Sequence, residues 1–307
     1  MSQTLVAALE KLHESTGTLP ASAFTISQRR ALDELARRTG AVRVKTEGSG
    51  SVYQVVNPQL IQAHLHTLRP QSDAEIDADL PKRAANIAHG RNSKSRAHGH
   101  SVHYLLVKAI GDGVCWENRS GDTLRRGFDL SALTASADAG VLALGEGDGW
   151  QSRQPLWLVE NQALFDRVDW MPAGTRGTLA YYAGYLPARV LQWLAARRRV
   201  PEVILFPDYD GVGLLNYARL RESCAAPCAF WLMPGWQGLL AAYGNNAVWR
   251  NTQAEFQAAL ARLEAAGPEP GVQALCAALS QAGMALEHEA VWLVGPRQTD
   301  AELFDVE

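Results

Sequence analysis

The chain has 307 residues, of which 47% are apolar and 20% charged, with a formal net charge of −3. This is the composition of a folded protein too long for one ordinary core. Near-neutrality excludes a generic polyanion binder, so nucleic-acid contact would have to come from a local patch.

Four cysteines at irregular spacing (Cys115, Cys224, Cys228, Cys276) argue against a disulfide scaffold, and no run of 18 apolar residues is present to cross a membrane. The opening MSQTLVAALEKLHESTG has neither the basic start nor the unbroken apolar run of a signal peptide, so a cytoplasmic protein is expected.

Residues 1–17 read as an amphipathic helix with Leu5, Ala8, Leu9 and Leu12 on one face. Thr25 has the character of an N-cap, the apolar spacing of Ile26, Leu32, Leu35 and Ala36 carries a second helix through Arg38, and Gly40 stops it. In AVRVKTEGSGSVYQVV, Val42/Val44 and Val52/Val55 flank a Gly-Ser turn, which is a hairpin signal. A helix followed by a two-stranded wing is the plan of a winged helix, expected over about 20–69 within a first domain of 1–69. Arg29, Arg30, Arg37 and Arg38 fall on or near its recognition helix, and Arg43 and Lys45 on the wing. Phosphate contact and protein docking both remain open for such a module.

PQSDAEIDADL reads as a polar linker, after which Leu80 to Gly111 contains no Asp or Glu. This basic middle segment belongs to an expected second region, 70–152. It includes Arg91, Ser93, Lys94 and Arg96, residue types that contact phosphates without reading sequence; a solvated basic loop is the plainer alternative. His98, His100 and His103 lack matching Cys or carboxylate ligands at metal spacing and are not expected to form a metal cluster. A hairpin is expected with strands near 102–109 and 113–117, followed by a strand in ADAGVLALGEGDG that ends in a glycine-rich loop.

From 153 to 307 strands and helices alternate. PLWLVE, GTLAYYAG, EVILFPDYDG and CAFWLMPG read as strands; NQALFDRV, ARVLQWLAARR and VGLLNYARLRE read as the helices between them. This order predicts an α/β domain with a parallel sheet covered by helices on both faces. Residues 250–283 read as helical, and LEHEAVWLVG as a late strand or short helix. Cys224 and Cys228 match no zinc pattern and are expected to be buried.

Glu160 ends one predicted strand, and Asp208 and Asp210 end another. Open parallel sheets bind ligands at the carboxyl ends of their strands, so these carboxylates should converge on one rim. Asp208 and Asp210 are two apart and would point the same way on a strand. Clustered carboxylates repel unless a cation neutralises them, and oxygen ligands of this kind suit Mg²⁺ or Mn²⁺. A hard cation there would polarise a phosphoryl oxygen and activate water. Acidic residues at strand ends also cap the following helix, and that reading stands beside the metal one.

A strand ending in Glu, a βα unit, a strand ending in Asp-x-Asp-Gly and a further strand together resemble the Toprim domain of topoisomerases, primases and related nucleases. LVENQALF, YYAGYLPARVLQWL, ILFPDYDGVGLLNYARLR and ALEHEAV over roughly 155–295 resemble, more closely, the JetD nuclease subunits of Wadjet plasmid-defence systems, themselves similar to topoisomerase VI A subunits. The N-terminal half matches only in plan.

The resemblance implies Mg²⁺-dependent DNA cleavage by Glu160, Asp208 and Asp210. Glu287 and Glu289 match an acidic Leu-Glu-x-Glu segment; they either complete the metal site or lie on a solvated turn. Ser93 and Lys94 match a Ser-Lys segment near the scissile backbone. The implied partners are double-stranded circular plasmid DNA, an SMC- or condensin-like motor complex and a second copy of the chain, with no membrane. Pro207-Asp208-Tyr209-Asp210 departs from the family's usual Gly-Asp-Ile-Asp, and Pro207 removes a backbone donor.

The first tyrosine, Tyr53, falls on the wing, where packing is the expected role; hydrolysis by metal-activated water is therefore favoured over covalent tyrosine attack. A topoisomerase-like enzyme and a catalytically inactive DNA-binding adaptor are the alternatives.

Overall fold

The computed structural model describes residues 2–15, 17–48, 50–71, 76–94, 100–267 and 269–293. The chain divides into two compact units between His100 and Ser101.

The first unit begins with α1 (Ser2–Glu14), which buries Ala8, Leu9 and Leu12, and a short strand β1 (Thr18–Pro20). Helix α2 (Ile26–Thr39) opens on a capping box. Thr25 Oγ1 accepts from Gln28 N–H at 3.2 Å, and Gln28 Oε1 accepts from Thr25 N–H at 3.0 Å. Two of the helix's orphan amides are thereby satisfied. The helix ends at Gly40, whose φ of 65° lies in the left-handed region glycine favours.

Strands β2 (Val42–Glu47) and β3 (Gly50–Val55) pair antiparallel, giving a three-stranded sheet of order β1-β3-β2. Val42 and Tyr53 pack with Leu32 and Leu35 of α2 and Ile61 of α3 (Pro58–Leu68) in one buried cluster. Helix α4 (Lys82–Gly90) follows.

The second unit is an α/β structure. In chain order it contains β4 (Val102–Ile110), β5 (Cys115–Ser120), β6 (Thr123–Asp129), α5 (Leu130–Ala137), β7 (Gly140–Gly145), β8 (Trp150–Gln151), β9 (Leu156–Val159), α6 (Gln162–Asp166), β10 (Gly177–Tyr181), α7 (Ala188–Ala196), β11 (Val203–Phe206), α8 (Gly211–Ser223) and β12 (Cys228–Phe230). Helices α9 (Trp236–Tyr243), α10 (Asn246–Asn251), α11 (Gln253–Ala265) and α12 (Pro270–Ala282) and a 3₁₀ turn at His288–Leu293 complete it. The six-stranded sheet runs β12-β11-β9-β10-β4-β7. Its first four strands are parallel; β4 is antiparallel to both neighbours. Every residue of β9 is buried, the mark of a strand covered on both faces.

The expected hairpin of 102–109 with 113–117 does not form. Strand β4 pairs with β10 and β7, while β5 pairs with β6 and β8 in a separate three-stranded sheet. Gly111 and Gly113 both have positive φ, so the connection redirects the chain rather than closing a two-residue turn. Leu105 and Val107 of β4 are needed in the main core, where they are essentially fully buried. The boundary expected at 152/153 consequently has no counterpart in packing, because β4 and β7 share a sheet with β9. No helix among the described residues is long and apolar enough to cross a membrane.

Candidate metal centre

The carboxyl ends of β9 and β11 carry the acidic residues. Glu160 follows the last residue of β9 and is partly buried; it accepts a hydrogen bond from Tyr182 Oη at 3.3 Å. Strand β11 ends at Phe206, so Asp208 and Asp210 lie beyond it rather than on one strand face.

Tyr209, between them, is fully buried: its hydroxyl donates to Trp231 O at 3.0 Å and accepts from Met233 N–H at 2.6 Å. That anchor fixes the loop while the two aspartates find different partners. Asp210 caps α8, accepting from Gly213 N–H at 2.8 Å, so the helix-capping role is realised there. Gly211 and Gly213 are required by close approach, since a Cβ would meet Thr252 O at 1.9 Å or Asp208 O at 2.0 Å.

Asp208 is held from the far end of the chain. Tyr209 and Leu286 exchange backbone hydrogen bonds of 2.8 and 3.0 Å, laying the segment before the 3₁₀ turn along the loop after β11. His288 N–H then donates to Asp208 Oδ1 at 2.9 Å, and His288 Nδ1 meets the same oxygen. Glu289 Oε2 lies 4.0 Å from His288 Nδ1, and its other oxygen accepts from Asn161 Nδ2. Asn161 Oδ1 meanwhile caps α6 through Ala163 N–H at 3.0 Å, so the residue after Glu160 is locked in place.

One ligand atom each from Asp208, His288 and Glu289 lies within 4.8 Å of the others, the only such group among the described residues. Glu160, Asp210 and Glu287 lie outside this group: Glu160 and Asp210 are drawn to it by electrostatics, whereas Glu287 is exposed between the buried Leu286 and His288.

The electrostatics show the carboxylates sharing one region. Burial, with the charges of Asp208 and Asp210 added, pushes Glu160 up to about 7 against the weaker pull of His288 and the Tyr182 hydrogen bond. Burial also pushes Asp210 up to about 6, reinforced by Asp208 and Glu255 and opposed by its bonds to Gly213 and Val212. His288 is fully buried, which disfavours its charge, but the Asp208 bond and the nearby Asp208, Glu289 and Glu160 charges outweigh that and raise its pKa. Its Nε2 is buried without a hydrogen-bond partner, and its ring packs edge-on against Phe206 with centroids 5.3 Å apart. The only cationic side chain in ion-pair contact with this group among the described residues is His288 itself.

The remaining candidates fall in the first unit. Arg30, Arg37 and Arg38 are exposed on α2, although Arg38 pairs with Glu34 at 3.3 Å, and Arg29 is partly buried. Arg91 and Lys94 are exposed beyond α4, and Ser93 O accepts from Asn86 Nδ2 at 3.0 Å. Arg96 and His98 lie outside the described residues.

Tyr53 is buried as expected. Its hydroxyl bonds Asp33 Oδ1 at 2.8 Å, and burial together with that carboxylate pushes its pKa up to about 12. Cys224 and Cys228 are partly buried free thiols.

Sequence reasoning missed His288 and Asn161 as members of the site. Both stood in segments that carried the resemblance, Leu-Glu-His-Glu and Glu-Asn, but nothing local said which side chains of those segments would turn inward. No protein-family model and no curated protein matches this chain.

Proposed function

We propose that the chain is a divalent-metal-dependent DNA endonuclease of Toprim type. One observation carries the reading: Asp208 and Glu289 converge with His288, Glu160 and Asp210 lie near enough to feel the Asp208 charge, and among the described residues no arginine or lysine ion-pairs with any of these carboxylates. Carboxylates in a partly buried rim either take up protons or gain a counter-ion, and ligand sites of parallel sheets lie at this end.

The donor set fits a hard cation. Asp208 and Glu289, with Glu160 and Asp210 beside them, would hold Mg²⁺ or Mn²⁺, while His288 Nδ1 stays bonded to Asp208. Such a cation, when bound, polarises a phosphoryl oxygen and makes water nucleophilic near neutral pH.

The chain's own residues supply the positioning. Tyr182 orients Glu160, Asn161 orients Glu289, and the His288 amide and ring hold Asp208. Behind them Phe206 packs against Trp231 with centroids 4.4 Å apart, and Trp170 against both, which makes a stiff floor. Burial and the neighbouring carboxylates raise the Glu160 pKa to about 7, so a cation bound there would compete with a proton.

The plan of the first unit, a capped α2 followed by a β1-β3-β2 sheet, supports a winged helix. Together with the resemblance to JetD, this favours the nuclease subunit of an anti-plasmid complex, acting as a homodimer with an SMC-like motor on circular DNA. The burial of the Tyr53 hydroxyl supports water over this tyrosine as nucleophile.

The test is nicking or linearisation of supercoiled plasmid with Mg²⁺ or Mn²⁺. Asp208→Asn is expected to slow it by on the order of 10³-fold, the several kcal/mol that a misplaced cation forfeits. Undiminished cutting by the folded variant, or a denaturant-trapped covalent protein–DNA adduct, would overturn the reading.

A further inference from the structure

The β6-β5-β8 sheet carries a second charged surface, of opposite sign. Two adjoining depressions of about 980 and 490 Å³ share Arg119 and Gly121; seven arginines, four carboxylates and no lysine line them. Arg119 is paired with Glu117 at 2.8 Å, and Arg199 with Asp148 at 2.7 Å. Arg125, Arg126, Arg153, Arg197 and Arg198 are exposed, and among the described residues none of them ion-pairs with a carboxylate.

The framework beneath this surface is rigid. Arg199 turns inward, its guanidinium 4.1 Å over the Trp193 ring and bonded to the carbonyls of Trp193 and Trp150. Pinning Arg199 leaves its neighbours Arg197 and Arg198 on the outside. Ser152 N–H donates to Arg199 O at 2.8 Å, tying this strap to the segment after β8. The loop between β7 and β8 lies hard against β5: a Cβ on Gly149 would meet Arg119 O at 1.6 Å, so only glycine fits. Arg126 lies 5.0 Å over the buried Trp150 ring, and Arg125 Nη2 donates to Ser120 Oγ at 3.0 Å, which limits their freedom.

Arg153 precedes β9, and Arg197 and Arg198 precede β11. These three arginines therefore sit at the amino ends of the two strands whose carboxyl ends lead to Glu160 and Asp208, while Arg125 and Arg126 lie on β6.

We propose that this arginine surface docks the phosphodiester backbone of duplex DNA, at a segment other than the one presented to the acidic rim. The inference rests on the DNA-cleavage reading for its choice of polyanion. Exposed, unpaired guanidiniums match phosphate oxygens in a two-pronged geometry that lysine does not offer. Among the described residues no aromatic side chain lines either depression, so no base-stacking platform is offered and the contact is independent of sequence.

The experiment uses the full chain in EDTA and a short fluorescent duplex, with anisotropy followed from about 50 to about 200 mM salt. Replacing Arg125, Arg126, Arg197 and Arg198 together by Gln should weaken binding by about tenfold or more and flatten the slope of log K against log salt by about 3 to 4. The same four positions as Lys should keep most of the slope. Retention of the thermal shift on adding Mn²⁺ shows that the Gln variant is folded with its acidic rim intact; a pairwise variant, Arg197→Gln with Arg198→Gln, gives about half the change if the quadruple variant fails that check.

Unchanged affinity and slope in a folded variant overturn this surface while leaving the cleavage reading in place. Wild-type protein that binds no duplex overturns both. Loss of binding to polyglutamate or phosphatidylglycerol vesicles with duplex binding unchanged overturns the partner class.

Discussion

Two acidic groups of the sheet unit are both largely removed from water, yet they are treated in opposite ways. Asp148, in the loop between β7 and β8, is fully compensated. It accepts from Arg199 Nη1 at 2.7 Å, from Trp193 Nε1 at 3.0 Å, and from the Gly145 and Trp150 amides at 2.8 and 3.2 Å. Glu160, at the carboxyl end of β9, receives one tyrosine hydroxyl and faces other carboxylates. A charge with its own buried counter-ion belongs to the framework. A charge surrounded by like charges lacks that compensation, and it is there that the proposed cation would act.

Breaking the framework pair gives the largest expected effect on stability. Asp148→Ala leaves Arg199, whose side chain is 1% exposed, without its partner. A loss of about 3–5 kcal/mol is expected, on the order of a 10 °C fall in Tm for a unit this size. Calorimetry checks it, and the Mn²⁺ response of the folded protein should persist. A small change in Tm would show that the pair is not the structural counterpart described above.

The rim should behave in the reverse sense. The Glu160 carboxyl is raised from its ordinary 4.5 to about 7 in the folded state, so its protonated form is favoured there. That contribution is full below the unfolded value and disappears as pH rises through about 7; Asp210, raised to about 6, and His288, raised by its carboxylate neighbours, act in the same direction. The cation-free protein should therefore lose Tm between about pH 5 and about pH 8. Glu160→Gln should gain roughly 1–3 kcal/mol relative to the parent at the higher pH, with little difference at the lower one. The same variant should lose most of the stabilisation that Mn²⁺ confers. If the parent's Tm is flat across that range in EDTA, the rim is already neutralised by some other route.

The smallest effect is expected at Glu287, which is exposed. Glu287→Gln should change stability by less than about 0.5 kcal/mol and leave the Mn²⁺ response intact in a thermal-shift titration. A clear loss of cation affinity would bring Glu287 into the centre and redraw the turn.

Much of this architecture was legible in the residues. The Thr25 cap with its reciprocal Gln28, the Gly40 stop, and the βα alternation from Leu156 to Phe230 all follow local rules that need no distant partner. The site was legible in part. Glu160 and Asp208 could be placed on one rim because parallel strands expose their carboxyl ends together.

His288 could not be placed. Its membership depends on the Tyr209–Leu286 bridge, which joins positions far apart in sequence and leaves no periodicity to read. The failed 102–117 hairpin has a related cause. Two apolar runs across a Gly-Asp-Gly turn satisfy the local hairpin pattern, but burial in the main sheet draws β4 to β10 and β7.

The sequence by itself determined the element types of α1, α2 and the βα alternation from Leu156 to Phe230, the Thr25 cap and the acidic residues that follow β9 and β11, because these depend on side-chain periodicity and on hydrogen bonds within a few residues. Tertiary structure alone decided that β4 and β7 extend the parallel strands, that Asp210 turns to cap α8 while Asp208 meets His288, and that Arg199 turns in while Arg197 and Arg198 face out. Those choices turn on which distant surface buries a strand or answers a charge, and long-range partners of that kind are set by packing rather than by spacing along the chain.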